Sequence, residues 1–117
     1  MALLDVQRVS KAGIADLSGA LAAADAAGDS VKASSNLLIV VENGDAISHT
    51  VTITAPTNTS NDVNYGALPV SDIVVTIAAG DIGVVAVPLG YANGANEFAW
   101  TYDAVTSVTT GVFSLAP

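Results

Sequence analysis

Cysteine is absent from the 117 residues, so neither disulfides nor thiolate chemistry is available and the compartment stays open. No apolar run approaches the roughly 20 residues that a membrane helix needs. The first residues make a poor secretory signal, because Asp5 and Asp16 interrupt them and no apolar block follows Arg8 and Lys11. A soluble chain made in the cytoplasm is the expectation. Charge is scarce, at 12% of residues, so much of the surface must be Ser, Thr, Asn, Gly and Ala. Aromatics are scarce too, which leaves a core of mostly Val, Ile, Leu and Ala. Positive charge is scarcest of all. Arg8, Lys11 and Lys32 are the three cations, and from residue 33 onward there is none against seven acids. A nucleic-acid partner would need cations to replace phosphate counterions, and an anionic membrane surface would need them equally. Neither partner is expected for a chain of net charge −8.

What is present is β-strand signal. The stretch "LLIVVENGDAISHTVTI" at 37–53 alternates in its second half, with His49, Val51 and Ile53 on one face and Thr50, Thr52 and Thr54 on the other. Its first half offers five apolar side chains in a row. The Asn43-Gly44 pair tolerates positive φ, so residues 37–42 and 47–55 are predicted to form a hairpin. The same logic joins 73–77 to 84–89 through "AAGDIG", and 97–103 to 105–115, with Gly111 marking a bulge or close approach. Phe98, Trp100 and Tyr102 alternate inward. Residues 14–36 are read as a loop with a short helix possible, capped by Asp16 or Ser18, and 56–71 as a long polar loop. Residues 1–13 form an N-terminal arm or edge strand, and 14–117 a single domain. The fold class is all-β: an antiparallel β-sandwich or jelly-roll-like barrel.

Strands 37–41 and 84–89, apolar on both faces, exceed what the inner layer of a sandwich requires. Either the loops 14–36 and 56–71 fold over the outer faces, or a neighbouring subunit does.

Candidate chemistry is thin. His49 is the sole histidine, with Asp45 four residues before it, but it continues the Val51–Ile53 face and reads as structural rather than as part of a Ser–His–Asp triad. Glu42 and Glu97 lie near opposite strand ends, with nothing to pair them for glycoside hydrolysis. Asp25 and Asp29 in "DAAGDS" lack the spacing of an EF-hand, so turn capping outweighs calcium. The "NTS" at 58–60 matches a glycosylation acceptor by chance. The aromatic ladder suits a sandwich core better than sugar stacking, for which Tyr65 and Tyr91 are the more exposed candidates. No catalytic residue, metal or cofactor is expected.

The phrases "ADAAGDSV", "LLIVVENGDAISHTVTI", "IAAGDIGVVAVPL" and "EFAWTYDAVTSVTTGVFSL" resemble small β-rich proteins encoded among the structural genes of tailed bacteriophages, the capsid decoration or cement proteins. The likeness covers most of residues 23–115. It implies a virion protein on the capsid exterior that binds the major capsid protein, often as a trimer, and stabilises the head without an active site. Arg8 and Lys11, with Leu3 and Leu4, are then the expected capsid-binding residues, facing carboxylates on the shell. An arm of this type can add a strand to a neighbour's edge, and removing residues 1–11 is expected to leave a folded body. A tail- or fibre-associated β-module and a carbohydrate-binding module are the alternatives.

Overall fold

Alternation of apolar and polar side chains puts one face of each strand in water and one in a core, and the computed structural model of the chain is built almost wholly on that rule. It describes residues 2–55, 59–62, 66–69 and 71–115. Twelve strands follow in order: β1 Ala2–Leu4, β2 Val6–Val9, β3 Ala22–Ala23, β4 Asp29–Lys32, β5 Leu37–Asn43, β6 His49–Ile53, β7 Thr59–Asp62, β8 Gly66–Pro69, β9 Ile73–Ile77, β10 Ile82–Ala86, β11 Glu97–Tyr102 and β12 Val108–Leu115. A first sheet runs β1-β4-β11-β6-β9, and a second runs β10-β5-β12-β2, with β3 beside β12. β7 and β8 form a separate hairpin within the segment expected to be a loop.

The all-β sandwich is as expected, but its sheets are mixed. β1 pairs in parallel with β4, and β2 in parallel with β12. All three expected hairpins are corrected. β5 lies in the second sheet and β6 in the first, β9 in the first and β10 in the second, β11 in the first and β12 in the second. Each short connection is an arch that carries the chain from one sheet to the other. Alternation fixes which face of a strand is buried, and it is silent on whether the next strand pairs beside it or packs opposite it. The Asn43-Gly44 turn differs accordingly. Neither residue takes positive φ. Instead the Asn43 side chain turns the corner, accepting the Asp45 N–H on Oδ1 and donating from Nδ2 to the Ile47 and Ile77 carbonyls.

β4 is a correction of another kind, since "DSVK" falls in the expected loop yet forms a strand between β1 and β11. Asp29 and Ser30 are buried polar residues there, which hides the strand from a hydropathy reading. The short helix reduces to a 3-10 turn at Ser18–Ala20, with Asp16 Oδ1 accepting the Gly19 N–H.

The core lies between the sheets. Val31, Val51, Ile53, Phe98 and Trp100 come from the first, and Leu37, Ile39, Val41, Val108 and Val112 from the second. The aromatic ladder points inward as expected, with Phe98 and Trp100 fully buried. Of the two forms expected for residues 1–13, arm or edge strand, they take the second. β1 and β2 extend one edge of each sheet, and Leu4 packs against the core. Deleting residues 1–11, which is expected to leave a folded body, removes β1 and β2 and so one edge strand from each layer.

Candidate interaction surface

The outer face of the second sheet collects the side chains that the inner layer has no room for. On β5 the inward set is Leu37, Ile39, Val41 and Asn43, which leaves Leu38 and Val40 pointing out. β12 adds Phe113 and Leu115 to that outer face, β10 adds Ile82, Val84 and Ala86, and β2 adds Val9. Residues 10–21 fold back over part of it. Gln7 Nε2 donates to the Ala20 carbonyl at 2.8 Å, and Ser18 Oγ donates to Glu42 Oε2 at 2.7 Å, so this flap is tied at both β2 and β5. Leu21 closes over Gly111, where an added Cβ would lie 2.8 Å from Leu21 Cδ2. That is the close approach expected of Gly111.

The flap covers β12 and stops short of β10. Val40 and Phe113 are buried beneath it, whereas Val84 is 56% exposed and Ile82 46%. Between them runs an open groove of about 300 Å³, lined by Val9, Ile14, Leu17, Leu38, Val40, Val84 and Phe113. Every one of these side chains is apolar. At its far side β10, "IGVVA", is the last strand of the sheet among the described residues, with no strand of those residues paired to its outer edge and neither charge nor proline on it. Natural edges of that kind are normally blunted by one or the other. So the first of the two coverings expected for the doubly apolar strands, by the chain's own loop, is half realised.

The expected contact residues 3, 4, 8 and 11 do not converge on this groove. Leu3 is 56% exposed on the outside of β1, Leu4 faces the core, Arg8 is exposed on β2 and Lys11 is exposed in the turn after it. Leu38, Val40 and Val84 lie on the doubly apolar strands expected to be covered, whereas Ile14 and Leu17 sit among alanines and read as loop. Their signal was the pairing of an apolar loop with a strand apolar on both faces.

The polar candidates resolve into structural roles. His49, only 3% exposed, stands at the arch end of the sandwich with Nε2 2.8 Å from Asp45 Oδ2 and Nδ1 3.0 Å from Asp103 Oδ1. Both ring nitrogens meet carboxylates, so neither is left to activate a hydroxyl as a triad requires. Hydrogen bonds that His49 donates to Asp45 and, second, to Asp103 raise its pKa above the ordinary 6.5 against the opposing effect of burial. Asp45 is held below the usual carboxylate range by its hydrogen bond with His49 and by the Ala46 N–H. Burial pushes Asp103 upward, but hydrogen bonds with His49 and the backbone outweigh it.

Asp25 and Asp29 serve the turn between β3 and β4. Asp25 Oδ1 accepts the Ala27 N–H, while Asp29 Oδ2 accepts the Asp25 N–H and a 2.6 Å bond from the Tyr102 hydroxyl. Tyr102 in turn accepts the Trp100 indole N–H. Burial, with Asp29 beside it, pushes the Tyr102 phenol well above its normal range. Among the described residues no group of three or more His or acidic side chains is placed to hold a metal ion. The Tyr91 hydroxyl donates to the Ser71 carbonyl at 2.7 Å and its ring packs on the core, while Tyr65 and Asn58 lie outside the described residues. With Phe98 and Trp100 enclosed, the ladder offers no stacking platform for a sugar. No helix among the described residues is long and apolar enough to cross a membrane.

No family model, curated protein or solved structure matches the chain. The fold and surface define its class: a β-sandwich of two mixed sheets, arched rather than hairpinned, with one wet outer face and one apolar outer face.

Proposed function

We propose that the chain is a structural virion protein, a capsid decoration or cement protein of a tailed bacteriophage, that acts by covering the apolar outer face of its second sheet against a neighbour. The observation that carries this reading is the uncharged groove and open β10 edge on a protein of net charge −8. The net negative charge disfavours self-association in general, and an apolar strip bordered by a strand with no partner among the described residues is where burial and main-chain pairing act together. The phrases that resemble decoration proteins run through the arches at 43–48, 78–81 and 103–107, which set the sheet order and so present this face. The neighbour is a sister subunit in a closed ring, trimeric by the resemblance, seated on the major capsid protein. Leu3, Arg8 and Lys11 remain exposed for the shell, in a region where Leu4 is already used by the core.

Cosedimentation with capsids stripped of their decoration protein tests the assignment. Saturable binding that is lost in Val84→Lys supports it. A wild-type chain that stays wholly in the supernatant refutes it.

A further inference from the structure

The dipeptide Asn-Gly occurs twice, at 43–44 and 93–94. Glycine after asparagine leaves the backbone nitrogen unhindered, which makes this pair the most prone to attack on its own side-chain amide. The two copies share one local shape. Asn43 Oδ1 accepts the Asp45 N–H at 3.0 Å and Asn93 Oδ1 accepts the Ala95 N–H at 2.9 Å, so in each the side-chain carbonyl bridges over the glycine.

Everything around that shape differs. Asn43 is fully buried, its Nδ2 donates to the Ile47 and Ile77 carbonyls at 2.9 Å each, and the Gly44 N–H is committed to the Ser107 carbonyl. Asn93 lies in the loop between the 3-10 turn at Leu89–Tyr91 and β11, next to the exposed Gly94. Among the described residues its Nδ2 and the Gly94 N–H have no hydrogen-bond partner. Its Oδ1 accepts a second N–H, from Glu97 at 3.1 Å. Two donors on that oxygen polarise Cγ and stabilise the oxyanion formed when it is attacked.

We propose that Asn93 is a self-modification site, deamidating through Gly94, and that the fold protects the same dipeptide at Asn43. The Gly94 nitrogen gives up its proton to water and attacks Asn93 Cγ. The N–Cγ bond closes a succinimide, the Cγ–Nδ2 bond breaks, and Nδ2 leaves with a proton as ammonia. Water then opens the ring to aspartate or isoaspartate, so the net reaction consumes one water and needs no oxidant. An aspartate keeps both backbone donors. An isoaspartate lengthens the main chain and breaks the Asn96 N–H bond to the Asn93 carbonyl. Either product puts a carboxylate near the Lys32–Glu97 pair, which spans 3.1 Å and ties β4 to β11.

Incubating the purified full chain at mildly alkaline pH, with peptide mapping for amide-to-acid conversion, tests this. The 93–94 peptide should convert at least about tenfold faster than the 43–44 peptide, because reaction at Asn43 waits for the core to open. In denaturant the two rates should converge. Gly94→Ala, at a position with open space and no positive φ, should slow conversion at 93 without shifting the melting temperature. Equal rates at the two sites in the folded protein would overturn the proposal. So would a folded chain that converts neither while the denatured chain converts both.

Discussion

The two outer faces of this sandwich are built from strands of equal quality and opposite chemistry. The first sheet shows water Thr50, Thr52, Thr76 and Thr101, with Val74 on β9 and Leu3 on the edge strand β1 as large apolar exceptions. The second shows Leu38, Val40, Phe113, Val84 and Ile82, half sheltered by the flap at 10–21. Threonine keeps β propensity while giving a hydroxyl to solvent. Nothing in strand formation therefore requires valine and isoleucine on the other side, and their use there is a statement about what that face meets.

The largest effect should come from the layer that both faces share. Trp100→Ala removes a fully buried indole and breaks its bond to Tyr102, so a loss of roughly 4 to 5 kcal/mol is expected in denaturant titration. Phe113→Ala sharpens the comparison, since Phe113 points outward yet is buried under the flap. About 3 kcal/mol should be lost there, against no more than about 0.5 for Thr101→Ala on the opposite face. Equal, small losses at both positions would mean that the flap does not cover its face.

Asn43→Ala probes the arches that set the faces apart. It leaves the Ile47 and Ile77 carbonyls without their donor, for about 2 kcal/mol by thermal melting. The smallest effect should be on pH dependence. His49 has a folded pKa raised above 6.5, so its contribution is full below that value and is lost as pH rises through the raised one. Asp45 and Asp103, with lowered values, contribute until pH falls through theirs. Melting temperature followed from mildly acidic to alkaline pH should therefore fall more in the wild type than in His49→Gln. Parallel curves would remove the His49 clasp from the account.

How much of this was legible in the sequence depends on range. The inward phase of Val51, Ile53, Phe98 and Trp100 follows from period two and needs no partner. Pairing is not local. Asn43 looks like a hairpin residue because its dipeptide is one, and only the carbonyls of β9, more than thirty residues on, show that it closes an arch. Asp29 reads as loop because a buried carboxylate needs a donor, and that donor, Tyr102, lies far along the chain. The doubly apolar strands were visible at once. What covers them was not, since Ile14 and Leu17 show their purpose only when β5 and β12 lie beneath them.

We propose that the chain associates through its apolar outer face and not through its threonine face. Light scattering at micromolar concentration tests it most directly on three proteins: the wild type, Val84→Lys and Thr101→Lys. The account predicts an oligomer for the wild type and for Thr101→Lys, and a folded monomer for Val84→Lys. A monomeric wild type, or an oligomer that survives Val84→Lys and dissociates in Thr101→Lys, would contradict it.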